Sequence, residues 1–239
     1  MSLYHNSSEE GFELAYELAC KKLTGMNPEE LCRKSGARSI DQGRITIQYL
    51  NRPYLVDLPN AEISLKDEEE KIPIKDRILI LHYLTQATGT PFSNKLITYA
   101  QLQGGRFYCP VFQKRTLEPI LKCFGDKPEL LLDVAKRFGG DRSSYGDLSV
   151  SIDAFPLVRI VIILWRGDDQ VPSGGNILFD KNIKDYLSSE DVAVLSDTVS
   201  IPRQGVGLLP FENCNLPSNK AALNLMCNIP SLLTRLSHL

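Results

Sequence analysis

Residues 148–165 read "LSVSIDAFPLVRIVIILW", two β-rich apolar runs broken at Phe155-Pro156. The second run is nearly continuous, as in a central strand covered on both faces. A polar stretch follows it, and then "NILFD" at 176–180, a short partner strand. Further upstream, Ile45, Ile47 and Tyr49 alternate with polar residues, and Tyr54, Val56 and Leu58 do so again. This pattern predicts a hairpin turning at the polar pair Asn51-Arg52, with a register that Pro53 leaves open.

Helical periods occupy much of the remainder. Phe12, Ala15, Leu18 and Ala19 share one face of a helix that stops at Gly25. Asn27 caps a short second helix, Pro28 starts it and Gly36 stops it. "IKDRILILHYLTQATG" predicts a buried helix closed by Gly89, and "NKLITYAQLQGGRFY" a strand and a Gly-Gly turn. Two amphipathic helices ending at Gly125 and Gly139 come next. Ser188 with Asp191 three residues on reads as a capped helix start. The charge run "KDEEEK" at 66–71 reads as a solvated loop. No internal repeat is visible. The sum is an α+β fold, a mixed sheet flanked by helices, in one domain over residues 1–200. A tail of loop and short helices follows at 201–239.

Charge narrows the set of partners. Lys and Arg total 27 against 29 Asp and Glu, a formal net charge of -2. Such balance gives no general attraction to nucleic acid or anionic lipid, so neither is expected as a partner. The longest apolar run, "LVRIVIILW", is too short to span a bilayer as a helix and contains Arg159. No leader pattern opens the chain, and the expected location is the cytoplasm. Six cysteines at 20, 32, 109, 123, 214 and 227 form no C-x-x-C pair. Free, mostly buried thiols are the expectation.

Candidate chemistry gathers in "WRGDDQVPSGGNILFD" at 165–180. Arg166 suits bidentate contact with a carboxylate or phosphate. Asp168, Asp169 and Asp180 would suit a hard cation if the hairpin brought them together. Gly174-Gly175 would admit backbone N–H groups to an anion. The structural alternative is a solvated turn carrying a surface ion pair. His82, between Leu81 and Tyr83, is the one histidine set within a strong element. It reads either as a ligand contact or as a hydrogen-bonded core residue. No phosphate-loop, dinucleotide, zinc-protease or serine-hydrolase motif occurs, and no pattern specifies a cofactor.

Several blocks together resemble the prokaryotic domain-of-unknown-function family 3786. They are Leu81-His82-Tyr83-Leu84, Gly89-Thr90-Pro91, Phe107-Tyr108, Trp165-Arg166-Gly167-Asp168 and Leu178-Phe179-Asp180. The resemblance runs from about residue 12 to about 200. It implies an anaerobic setting, in which some members carry a four-cysteine iron–sulfur module like that of corrinoid proteins of one-carbon metabolism. This chain lacks those clustered cysteines, and the family transfers no catalytic residue.

Three functions follow as expectations. The first is a noncatalytic ligand-binding or accessory protein, with a polar pocket near Arg166, Asp168 and His82. The second is a structural or protein-interaction module. The third is a metal-dependent enzyme using the aspartates. The tail "AALNLMCNIPSLLTRLSHL" carries apolar positions around Pro230 that must dock on the domain or on a second subunit.

Overall fold

The computed structural model describes residues 3–41, 43–66 and 71–200. The acidic centre of the charge run, residues 67–70, and the tail from residue 201 lie outside these. Helix α1 (Leu3–Thr24) ends before Gly25, as the pattern required. Helix α2 (Pro28–Ser35) follows the cap signals closely. The Asn27 side chain accepts the Glu30 amide, and Gly36 turns the chain with φ 71°. Any other residue would be strained there, and its Cβ would lie 2.8 Å from Pro156 Cβ.

Strands β1 (Arg38–Ser39), β2 (Arg44–Tyr49), β3 (Arg52–Asp57) and β4 (Glu62–Leu65) form an antiparallel meander in chain order. The β2–β3 hairpin was expected, but its turn is Leu50-Asn51 and not Asn51-Arg52. Tyr49 pairs with Arg52, and Leu50 and Asn51 have φ 48° and 63°. Two successive positive φ values match the twist of the flanking strands. The unusual leucine has a tertiary reason. It is buried, and its N–H donates to the Ala154 carbonyl at 2.9 Å on the second sheet.

Helix α3 (Ile74–Gln86) leads to the short strand β5 (Leu96–Thr98). The Gly-Gly pair, expected as a turn after that strand, instead opens helix α4 (Gly105–Phe112). Gly104 is left-handed at φ 72°, and Gly105 lies so close to Tyr99 that a Cβ would sit 2.0 Å from its carbonyl oxygen. A π turn over Gln113–Leu117 joins α4 to α5 (Glu118–Phe124), and α6 (Leu130–Arg137) follows.

The second sheet holds β6 (Asp141–Ser143), β7 (Leu148–Phe155), β8 (Val158–Trp165) and β9 (Gly174–Asp180). Its order is β5-β9-β8-β7-β6, and every pairing is antiparallel. The apolar run at 158–165 is thus the central strand. Its residues are buried on both faces except at Arg159 and Trp165. Helix α7 (Ser189–Ser200) closes the described chain.

The architecture is α+β, with one continuous apolar cluster running through both sheets and the helices. Its centre is an aromatic stack. Tyr49 on β2 meets Phe155 on β7 at 4.8 Å, and Phe155 meets Tyr83 on α3 at 4.2 Å and 7°. Tyr83 meets Tyr186 at 5.6 Å. Each such pair adds about 0.5–1.5 kcal/mol beyond burial, so the stack ties the two sheets to α3. Cys20, Cys32 and Cys109 are free, half-buried thiols. Cys123 departs from that expectation and is disulfide-bonded.

Candidate functional site

The residues of the 165–180 stretch do not converge. In the β8–β9 hairpin Ile160 faces Phe179 and Trp165 faces Gly174. Asp168 and Asp169 therefore lie in the connecting turn, while Asp180 ends the far side of β9. The six steps of strand from Gly174 to Asp180 span about 20 Å at 3.3 Å per residue. The three carboxylates cannot share one cation. Among the described residues no group of three or more His, Cys, Asp or Glu side chains is placed to hold a metal.

Each member of the stretch has a local task. Asp168 Oδ1 accepts the amides of Gln170 and Val171, both at 2.8 Å, and the Asp168 amide donates to Val171 O at 2.8 Å. These backbone donors hold its carboxyl below the ordinary range. Asp169 is exposed. The Arg166 guanidinium pairs with Glu129 at the surface, and its amide donates to Asp147 Oδ2 at 2.8 Å. A Cβ on Gly175 would lie 3.0 Å from the Ile163 carbonyl oxygen, so strand packing accounts for that glycine. This geometry is a hydrogen-bonded, solvated turn.

Asp180 is buried and organises the fold around it. It accepts the Ser93 amide and hydroxyl, the Asn94 amide and the Asn182 amide, at 2.7–3.0 Å. Burial pushes its carboxyl up, and these donors outweigh that and hold it below the usual range. Asn182 in turn donates to the carbonyls of Leu157 and Thr90, and the Tyr186 hydroxyl also donates to Thr90 O. The Gly89-Thr90-Pro91 and Leu178-Phe179-Asp180 blocks are therefore two sides of one hydrogen-bonded lock.

His82 stands apart from the turn, and among the described residues the two share no bonded partner. Its Nδ1 lies 2.7 Å from Asp191 Oδ1 on α7. The Asp191 side chain is 9% exposed and the His82 side chain 28%. The other oxygen of Asp191 accepts the Ser188 hydroxyl at 2.7 Å and the Ser188 amide at 3.1 Å. Ser188 Oγ accepts the Asp191 amide at 3.1 Å. The reciprocal cap expected at Ser188 and Asp191 is present, and its carboxylate serves the histidine as well. Burial pushes the Asp191 carboxyl up, but His82 and Ser188 together hold it below the usual range. An ionised carboxylate only accepts, so Nδ1 carries a proton, and in the neutral ring the lone pair is then on Nε2.

More polar groups line the same region. Burial, and then the charge of Asp191, pushes the Glu190 carboxyl up, while nearby His82 opposes this. The Tyr99 hydroxyl donates to Ser189 O at 3.1 Å. Arg115, on the π turn, donates to Tyr108 at 2.7 Å and pairs with buried Asp197 of α7. The π turn is what swings Arg115 onto α7.

His82 was legible in the chain, and its partner was not. Asp191 lies 109 residues away and carried only the signal of a helix cap.

No curated protein and no solved structure matches the chain. The model of one family, the domain of unknown function DUF3786, matches residues 27–201, starting later than the resemblance suggested. With its aromatic stack, the Asp180 lock and the His82–Asp191 pair all inside that span, the chain belongs to this family of unknown function.

Proposed function

We propose that this is a noncatalytic ligand-binding or accessory protein whose point of contact is His82. The observation that carries the reading is the 2.7 Å pairing of a half-open imidazole with a buried aspartate. A carboxylate behind Nδ1 fixes the ring, sets its tautomer and makes Nε2 of the neutral ring a better ligand for a metal centre or a better acceptor for a polar hydrogen. Arg166, Asp168 and Asp169 belong to the turn in this reading, and Asp180 to the lock. The anaerobic, one-carbon setting rests on the family resemblance, and it puts a corrinoid and a folate into the ligand panel.

Thermal melting against first-row divalent ions, aquacobalamin and tetrahydrofolate tests the proposal. A ligand at a hundredfold excess over its Kd stabilises by about 2.7 kcal/mol, which is about 5–10 °C for a chain of this size. The shift should appear in the wild type and in Asp168→Ala, and vanish in His82→Gln. A shift kept by His82→Gln and lost in Asp168→Ala would move the site to the turn.

A second reading, a structural or interaction module, is favoured by the double use of Asp191. A carboxylate that joins α3 to the start of α7 needs no ligand to account for it. A flat response to the whole panel supports that reading.

A further inference from the structure

We infer that the C-terminal segment 221–239 covers the outer face of helix α4. Phe107 on that face is 92% exposed and Val111, one turn further on, is 45% exposed. Pro110 between them is exposed as well. An almost fully exposed phenylalanine beside a second apolar residue at helical spacing is a face built to be covered.

The path of the chain names the occupant. Helix α7 ends at Ser200. One turn before that end, Asp197 pairs with Arg115. Arg115 lies one helical turn beyond Val111, in the same run of helix. The chain therefore leaves α7 beside the end of α4. From there "IPRQGVGLLPFENCNLPSNK" offers Pro, Gly and Asn for a return path, and then the apolar segment begins. Leu223, Met226, Ile229 and Leu232 recur at three-residue spacing. That segment has no Asp or Glu side chain. The α4 face has exposed Arg106 and Lys114 at its edges, so contact there is apolar and not by ion pairing.

Photo-cross-linking in the full chain tests this. Benzoylphenylalanine replaces Phe107 in one variant and Val111 in another, both exposed positions, and circular dichroism checks that each folds. The expected product has the mass of one chain, a yield independent of protein concentration, and a cross-link mapping to residues 221–239. Cross-links between two chains would give the face to a second copy and overturn the inference. Cross-links to solvent only, or to another part of the same chain, would overturn it too.

Discussion

His82 Nδ1 lies 2.7 Å from Oδ1 of Asp191, and the other oxygen of that carboxylate is held by the N-cap serine of α7. One side chain thus finishes a helix and orients an imidazole. Removing it should do two things. Asp191→Ala leaves the first turn of α7 and the histidine without their acceptor, at a cost of about 2–4 kcal/mol in chemical denaturation. Ser188→Ala should cost about 1 kcal/mol and leave His82 paired.

The same carboxylate sets a pH dependence. Its folded pKa lies below the ordinary value, so it stabilises the fold above the unfolded pKa of about 3.9. That stability is lost as pH falls through the folded value. Asp180 has the same sign, held down by its backbone and serine donors. Acid unfolding followed by circular dichroism should begin at higher pH in Asp191→Asn and Asp180→Asn than in wild type.

Asp180→Ala should rank among the most destabilising single changes, at about 3–5 kcal/mol. It leaves the Ser93, Asn94 and Asn182 donors unsatisfied in a buried lock. Asp168→Ala, which loses two solvent-exposed turn bonds, should lower the melting temperature only slightly, and Asp169→Ala should leave it unchanged within error. Equal effects at Asp168 and Asp180 would contradict the division between turn and lock.

The two glycines at the start of α4 separate backbone conformation from close packing. Gly104→Ala meets open space but must hold φ 72°, at a cost of about 1 kcal/mol. Gly105→Ala drives a methyl onto the Tyr99 carbonyl and should cost well over about 2 kcal/mol. Urea denaturation of the pair measures both.

What could be read in advance followed the range of the interaction. Caps such as Asn27 and Gly36 depend on near neighbours, and the structure has them where the chain signalled them. The apolar run at 158–165 announced a central strand because burial on both faces leaves no polar alternation. Leu50 turns a hairpin against its propensity because Ala154, a hundred residues on, takes its N–H. Gly105 opens a helix because Tyr99 crowds it. Strands β1 and β4 are too short to impose a period. The expected aspartate cluster failed on geometry, since Asp168 and Asp169 lie in the turn of an antiparallel hairpin and Asp180 lies at the far end of its second strand. His82 was visible as a residue type in a buried helix. Its significance lay in a partner that only the packing of α3 on α7 could supply.

The central claim is that Asp191 holds the His82 proton on Nδ1, so that the neutral ring carries its lone pair on Nε2. Imidazole-edited 1H–15N NMR of the full chain, at a pH where His82 is neutral, reads this directly. The account predicts a protonated Nδ1 and an unprotonated Nε2 whose resonance moves when a stabilising ligand is added, with the tautomer preference lost in Asp191→Ala. An Nε2-protonated ring, or an Nε2 resonance that no stabilising ligand moves, would contradict it.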